Sequence, residues 1–412
     1  MIPERFNIAS AICRRHSDAP SRIALQEVKE AGINTYTFGA LDFLSDKFAV
    51  ALSHAGVNQG DSVAVMLPQS AALAVAHLGI LKCGAVLVPL ATAADAAFIR
   101  QAMADSGTTT LVVDESLSDR VGDFRSLPYL GPRFVVRDLR PDARISVDKD
   151  FWTEVDRASS DFEAVQTDPS SKAFIFYDAV EGKPAGVVHS HRSLIGQLGA
   201  FEMFMEPQAN SVFWTANGWS AATTLLGLMY PGWWYGCAIV ACTPEKPEGE
   251  LGLLKRAAVT HALISSSSLN LVAEFDSRSE EEVKLRKVVC EDLPWPEHRL
   301  NDDVGFTLNC VYGRPETGWI VGRSERWFKT KPGFTGRSAP GSSLEVIDET
   351  GHIMPPGQEG TVAIHKSDPA LFSEFHNSPP RTAGCFIGDW FLTGDVGKKN
   401  EDGDLFIHHP RL

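Results

Sequence analysis

Long apolar runs are missing from this sequence of 412 residues, and none reaches the length needed to span a bilayer. The N-terminus, MIPERFNIASAICRRH, mixes charged residues into its start and has no apolar core of the kind found in secretory signals. We therefore expect a protein without a membrane span, located in the cytoplasm.

Paired cysteines are also missing. The chain has 7 cysteines, an odd number, and they are scattered without any Cys-x-x-Cys spacing. This pattern indicates neither a disulfide framework nor a zinc site. It is typical of reduced thiols in the cytosol.

Positive charge is scarce as well. The 38 Lys and Arg residues against 52 Asp and Glu residues give a formal net charge of −14. Phosphate backbones and anionic lipid surfaces are repelled by such a balance, so we expect no nucleic-acid partner. Small ligands such as a nucleotide or coenzyme A stay compatible with it, because local basic patches suffice to bind them.

What the chain does have is an alternation of helical and strand patterns between residues 36 and 114. Apolar residues recur at helical spacing over Phe38–Ala55, and Gly56 ends this pattern. Ser62–Leu67 reads as a short buried strand and Ala71–Cys83 as an Ala-rich helix. The alternation continues through a strand, a helix and a strand at Ala85–Pro89, Ala94–Asp105 and Thr108–Val113. It predicts parallel strands joined by right-handed crossovers.

A second alternating unit begins with the strand pattern Ala173–Tyr177, and short strands separated by Gly/Pro turns follow from Lys331 onward. We predict an α/β fold with two alternating α/β subdomains that contain parallel-type sheets, plus a small β-rich subdomain. The predicted boundaries are 1–170 and 171–330 for the α/β subdomains. The β-rich subdomain is predicted over 331–412, ending at a hinge.

Several segments, in order along the chain, resemble the motifs of the adenylate-forming (AMP-binding) superfamily, of the acyl-CoA synthetase type. They are Phe176–Tyr177 with Gly182–His191, Tyr312–Thr317, Lys331–Pro340, Pro355–Gly360 and Asp389–Asp395. The first pair resembles Tyr-Thr-Ser-Gly-Thr-Thr-Gly-x-Pro-Lys-Gly-Val, and the second segment resembles Tyr-Gly-x-Thr-Glu. The medium-chain acyl-CoA synthetases look nearest, and the resemblance covers the large N-terminal domain of such enzymes.

The resemblance implies a reaction in which a carboxylate and ATP give an acyl-adenylate, from which coenzyme A takes the acyl group. The implied cofactors are AMP or ATP with magnesium, and coenzyme A or another acyl thioester carrier. The implied substrate is a small-molecule carboxylate or acyl thioester.

The resemblance also assigns nucleotide-binding roles. Tyr312 would stack on adenine beside Gly313, and Asp395 would accept both ribose hydroxyls. Arg411 stands near the position of a family arginine, although an extra residue nearby leaves its register open. A buried aromatic at a strand end is the alternative for Tyr312, and a turn aspartate bonded to its own backbone is the alternative for Asp395.

Three further positions have candidate roles. Glu316 would be catalytic and would hold magnesium, because a carboxylate is a hard oxygen ligand; a solvated loop acid is the alternative. Trp219 and the preceding Gly218 match the family's acyl-pocket segment, although most aromatics in this stretch are expected in the core. His189 and His191 are interpreted as structural.

The sequence departs from the family at the phosphate loop. The degenerate loop comprises Asp178, Glu181, Gly182, Lys183, Ala185 and Gly186. It has lost the hydroxyls that would bind phosphate, and Ala185 replaces the family lysine, with Lys183 two residues earlier. Val180 disfavours the positive φ angles open to glycine.

Asp178 and Glu181 would face a polyphosphate, and each like-charge pair at ~4 Å costs about 1 kcal/mol in water and about 4 kcal/mol at an effective dielectric of 20. We expect ATP-dependent adenylation to be lost in this chain alone.

Two weaker departures agree. Cys290–Asp292 replaces the family's adenine-contacting Gly-Glu-Pro, and the sequence stops at Phe406–Leu412, where the family reaches its hinge. We therefore expect the C-terminal catalytic domain, with its lysine, to be absent. A separate protein that supplies this domain, or a carrier protein, is the predicted partner.

Three functions fit these observations. The first is an acyl-CoA synthetase-like ligase completed by another chain. The second is a non-catalytic acyl-binding or partner protein, a pseudoenzyme of the ligase family. The third is an enzyme of ATP-independent acyl transfer from a thioester.

Overall fold

The computed structural model describes residues 2–121, 131–137, 148–180, 183–242, 248–265, 284–291, 306–324, 326–331 and 333–408. Its helices are α1 Ile8–Arg15, α2 Phe38–His54, α3 Ala71–Lys82, α4 Ala96–Asp105, α5 Ser118–Val121, α6 Phe151–Arg157, α7 Ser193–Met205, α8 Ala222–Thr224, α9 Tyr230–Trp234, α10 Glu248–Arg256 and α11 Pro379–Gly384. A 3-10 turn at Glu115–Leu117 leads into α5, and a π-helical segment at Leu225–Met229 connects α8 to α9.

The strands in chain order are β1 Ile23–Lys29, β2 Gly32–Thr37, β3 Ser62–Met66, β4 Val86–Pro89, β5 Thr110–Asp114, β6 Arg133–Val136, β7 Lys149–Asp150, β8 Lys172–Val180, β9 Lys183–Ser190, β10 Val212–Thr215, β11 Ala238–Ala241, β12 His261–Ile264, β13 Lys287–Cys290, β14 Thr307–Arg314, β15 Gly318–Gly322, β16 Arg337–Ser338, β17 Leu344–Ile347, β18 Glu359–His365, β19 Glu374–Phe375, β20 Phe386–Ile387, β21 Trp390–Lys399 and β22 Leu405–His408.

Two large sheets and one small sheet organise these strands. The eight-stranded sheet has the order β19-β9-β8-β4-β3-β5-β6-β7 and is parallel from β8 to β7. The nine-stranded sheet has the order β16-β15-β14-β13-β12-β10-β11-β1-β2 and is parallel from β14 to β1. The small sheet joins β17, β18, β21, β20 and β22 in antiparallel pairs.

The main core lies between the two large sheets. Along β3, Val63 and Val65 belong to this core, whereas Ala64 and Met66 belong to a second core on the opposite face. Phe213 of β10 faces the same main core. This alternation follows from the two-residue period of a strand, and apolar residues on both faces are expected of parallel strands covered on both sides.

The helices that pack into the main core begin and end at capping residues predicted by local chemistry. The Thr37 side chain accepts a hydrogen bond from the Ala40 N–H at the start of α2, and Ser70 accepts one from Leu73 at the start of α3. Gly56 follows α2 with a φ of 91°, a conformation that glycine adopts without a Cβ penalty.

The small sheet packs against both large sheets at their antiparallel edges. Its core includes Val346 and Val362, together with Val187 of β9 and Tyr312 of β14. Tyr312 therefore lies where three sheets meet. The predicted fold class, two α/β sheets plus a small β-rich part, is confirmed. The boundaries at 170 and 330 stay a prediction; β1 and β2 pair into the nine-stranded sheet, and β19 pairs with β9.

Candidate functional site

Asp395 is held in place by a bulge in β21. The Cα partners step from Thr361↔Val396 to Ala363↔Leu392, so three residues around Gly394 oppose one residue of β18. Gly394 has a φ of 83°, and the Thr393 hydroxyl accepts a hydrogen bond from the Asp395 N–H at 3.2 Å. Such a bulge redirects one side chain out of the regular pleat. Here it directs Asp395 toward β14.

Two donors from β14 meet the Asp395 carboxylate. The Tyr312 hydroxyl donates to Asp395 Oδ2 at 2.5 Å, and Arg314 Nη1 donates to the same oxygen at 2.8 Å. Tyr312 is 1% exposed and Asp395 is 2% exposed. Burial, together with the neighbouring Asp395 charge, raises the pKa of Tyr312 well above its usual range, so the hydroxyl keeps its proton. Asp395 Oδ2 therefore already accepts two hydrogen bonds within the chain.

Glu316 lies in the turn that connects β14 to β15. The turn is fixed because the Phe372 N–H donates to the Glu316 carbonyl at 2.7 Å, and because the Pro315 carbonyl accepts a hydrogen bond from His189 Nε2 at 2.7 Å. Glu316 Oε2 is buried and has no hydrogen-bond partner among the described residues; Arg314 Nε lies 4.0 Å from it. Burial raises the pKa of the Glu316 carboxyl, with a smaller contribution in the same direction from Asp178.

His189, near the end of β9, and His191, just after that strand, have buried packing roles. Burial lowers the pKa of His189 and of His191 to about 4, so both rings are neutral near pH 7. His189 bridges the Ser193 hydroxyl and the Pro315 carbonyl, and His191 Nδ1 accepts a hydrogen bond from the Ile8 N–H at 3.3 Å. These contacts support the structural interpretation of both residues.

The segment in place of the phosphate loop is an antiparallel hairpin. Strands β8 and β9 stay paired from Lys172↔Ser190 through Asp178↔Ala185 to Val180↔Lys183. Gly186 is packed closely, because a Cβ there would meet His376 at 2.9 Å. The predicted residues Glu181 and Gly182, the side chain of Lys183, and Arg411 lie outside the described part of the chain.

Gly218 and Trp219 lie at a cavity of about 440 Å³. It opens at the carboxyl ends of β3, β4 and β10, the edge where open α/β sheets bind ligands. Its walls include Leu67, Leu73 and Leu90. Trp219 is 3% exposed, and its Nε1 has no hydrogen-bond partner among the described residues. The cavity therefore offers apolar walls beside a buried indole N–H donor.

A chain of hydrogen bonds runs from this cavity toward β15. Gln69, at the cavity wall, donates to the Asn217 carbonyl at 2.9 Å, and the Asn217 side chain donates to Glu291 at 2.8 Å. Glu291 also accepts the Trp319 indole N–H at 2.9 Å. Trp319 pairs with Gly313, the residue after Tyr312. The polar chain thus leads from the cavity to the strand that carries Tyr312.

The structure brings Tyr312, Glu316 and Asp395 into one cluster and places Gly218 and Trp219 at the cavity. The family resemblance also implies that Tyr312, Glu316, Asp395 and Trp219 converge on one cleft, and this stays a prediction. Arg314 was given no role from the sequence, although a charged residue at the variable position of the Tyr-Gly-x-Thr-Glu segment was a usable signal. Gln69 and Asn217 carried no such signal, because they are ordinary loop polar residues.

The cluster offers little to a metal ion. No group of three His, Cys, Asp or Glu side chains that could hold a metal occurs among the described residues. Glu316 supplies a spare carboxylate oxygen, but the Arg314 guanidinium lies beside it. Magnesium is bound through one or two carboxylates together with substrate phosphates. These residues therefore do not fit a magnesium ion held without a phosphate ligand.

Comparison with known proteins identifies the class of protein. The chain matches the family described as AMP-binding enzyme over residues 12–373. Since this match covers most of the sequence, the chain belongs to that family, as an acyl-CoA synthetase-like member. In the described part of the chain, no helix has both the length and the apolar character required to cross a membrane.

Individual relatives are distant but extensive in coverage. The chain is 26% identical to the uncharacterized acyl–CoA ligase YtcI of Bacillus subtilis, covering 97% of this chain and 76% of that protein. It is 26% identical to the human mitochondrial acyl-coenzyme A synthetase ACSM2B, covering 98% and 72%. The crystal structure of Brucella canis acyl-CoA synthetase superposes with a TM-score of 0.89 at 22% identity, covering 98% and 75%.

Proposed function

We propose that this chain binds an acyl group, free or as a thioester, and that it does not by itself form acyl-adenylate from ATP. The observation that carries the proposal is the β8–β9 hairpin, which remains paired as far as Val180↔Lys183. A phosphate is wrapped by successive backbone N–H groups that converge on one point. In extended strands the successive N–H groups point alternately to opposite sides, so they do not converge.

Charge supports the same conclusion. Asp178 is exposed near the end of the hairpin, and its charge acts on Glu316. Ala185, paired with Asp178, has no cationic group. Neither of these two described residues therefore offers a preorganised positive group of the kind that stabilises a transferring phosphoryl charge. Of the ligands suggested by the family, coenzyme A belongs to this proposal as the carrier of the acyl thioester, whereas ATP with magnesium does not.

The residues that line the cavity favour an uncharged acyl group as its ligand. None of the described residues that line it carries a charge, so a dicarboxylate would be buried without a partner. A volume of about 440 Å³ lies in the range of small-molecule sites.

Isothermal titration with ATP, AMP and an acyl-CoA separates the three candidate functions. We expect heat from the acyl-CoA and none from ATP. Binding of ATP with turnover would indicate a ligase, whereas acyl-CoA consumption without nucleotide would indicate acyl transfer. Binding without turnover would indicate a non-catalytic acyl-binding protein.

Two hairpin variants test whether the hairpin is the reason that ATP does not bind. The first replaces residues 178–181 by Thr-Ser-Gly-Thr-Thr and adds Ala185→Lys. The second, Asp178→Asn with Glu181→Gln, removes the charges and keeps the ladder. We expect ATP affinity to rise in the first variant and to rise less in the second. An unchanged affinity in the first variant would show that the hairpin is not the reason.

A further inference from the structure

Arg314 covers the carboxylate that the family resemblance assigns to ribose. Its side chain is 36% exposed, whereas that of Asp395 is 3% exposed. The guanidinium therefore lies on the solvent side of a carboxylate that is otherwise enclosed. Arg314 Nη1 and the Tyr312 hydroxyl both donate to Oδ2.

We propose that Arg314 determines the ligand specificity of this cluster by excluding the ribose of a nucleotide. The inference rests on the proposed function, and in it Arg314 is the residue that closes the nucleoside side of that site. A ribose diol would donate two hydrogen bonds to the carboxylate. It would have to displace a charge-assisted hydrogen bond, which is among the stronger interactions of its kind.

Arg314 is not a spare anion-binding group. It lies between Asp395, at 2.8 Å, and Glu316, at 4.0 Å. Arg381, whose charge also acts on Glu316, lies over the Phe375 ring at 3.8 Å. The Arg314 charge is thus balanced from within the chain, and its effect on ligands is steric and competitive.

The probe that isolates this effect is adenosine, because it carries the ribose diol without any phosphate. The variant is Arg314→Ala, and 2′,3′-dideoxyadenosine is the ligand that lacks the diol. Arg337→Ala is the matched control: Arg337 bonds Asp404 at 2.8 Å, with side-chain exposures of 35% and 1%. The Arg337→Ala substitution therefore removes an ion pair of similar length and burial at another place in the chain.

Equilibrium dialysis with radiolabelled ligands gives the result. We expect Arg314→Ala to bind adenosine about 10-fold or more tightly than the unmodified chain does, the equivalent of one hydrogen bond to a charged group. We expect no such gain for dideoxyadenosine or in Arg337→Ala. Three results would each overturn the inference. They are no gain in adenosine affinity in Arg314→Ala, an equal gain for dideoxyadenosine in that variant, or an equal gain in adenosine affinity in Arg337→Ala.

A second variant guards against misfolding. Arg314→Lys keeps the charge and shortens the donor, and we expect it to gain adenosine affinity to a smaller extent than Arg314→Ala. If the Ala variant fails to fold, unchanged adenosine binding in the Lys variant overturns the inference. The outcome is separate from that of the proposed function, because adenosine binding requires neither the phosphate hairpin nor turnover.

Discussion

Replacing Glu316 by Gln should stabilise the protein near neutral pH. The native structure buries Glu316 Oε2 without a hydrogen-bond partner among the described residues. A buried unsatisfied polar group costs about 1–3 kcal/mol, and more when it is charged. Gln keeps the shape and removes the charge, so we expect the apparent free energy of unfolding to rise by about 1 kcal/mol at pH 7.

The direction of the effect of Glu316 on stability, and its change with pH, follow from the pKa of its carboxyl group. Burial raises the pKa of Glu316 above its ordinary value of 4.5, against the opposing charges of Arg314 and Arg381 and with a smaller addition from Asp178. The native state therefore binds this proton more tightly than the unfolded state. Stability from this group is present below pH 4.5 and falls as the pH rises through the raised pKa. The gain in Glu316→Gln should vanish in acid.

Urea unfolding of the unmodified chain and Glu316→Gln, at a series of pH values, measures this effect. Glu374→Gln is the control, because Glu374 pairs with Lys172 at 2.6 Å and both side chains are nearly half exposed. Exposed pairs contribute about 0–1 kcal/mol. A Glu316→Gln variant that is less stable than the unmodified chain at pH 7 would refute the reasoning.

Two further changes test the cluster and the cavity. Tyr312→Phe removes a buried hydrogen bond to Asp395, so we expect urea unfolding to report a loss of about 1.5–3 kcal/mol, against a smaller loss in Tyr235→Phe, whose hydroxyl bonds a carboxylate at the surface. Equal losses would contradict the burial argument. Ala221→Phe adds bulk at the cavity wall, so we expect calorimetry to show acyl-CoA binding weakened roughly 10-fold, which corresponds to about 1.4 kcal/mol. Ala383→Phe on α11 is the control and should leave binding unchanged. Unchanged binding in Ala221→Phe would place the acyl group elsewhere.

Local patterns in the sequence were sufficient for the helices of the first alternating unit and for the fold class. The helix predicted over Phe38–Ala55 is observed as Phe38–His54, and that over Ala71–Cys83 as Ala71–Lys82. Both have an N-cap hydroxyl; α2 buries one apolar face, whereas α3 is largely apolar and buried on all sides. Caps and apolar patterns are local signals. The strand signal at Ser62–Leu67 succeeded for the same reason, because four to eight apolar residues bounded by turns are typical of buried strands.

The contacts that define the site required the tertiary structure. Arg314 meets Asp395 across 81 positions of sequence, and only the bulge at Gly394 directs that carboxylate toward β14. The hairpin was not predicted either, because pairing depends on register between β8 and β9, whereas composition indicated only a loop without phosphate donors. Motif comparison could name candidate residues, but it could not reveal that one of them is already bonded within the chain.

Acid-dependent ATP–pyrophosphate exchange is the most direct test of the claim that this chain does not form acyl-adenylate alone. The purified 412-residue chain is assayed with short, medium and aromatic acids, beside an active acyl-CoA synthetase as the positive control. Our account predicts exchange no greater than in reactions without the acid. Saturable, acid-dependent exchange by this chain would contradict it.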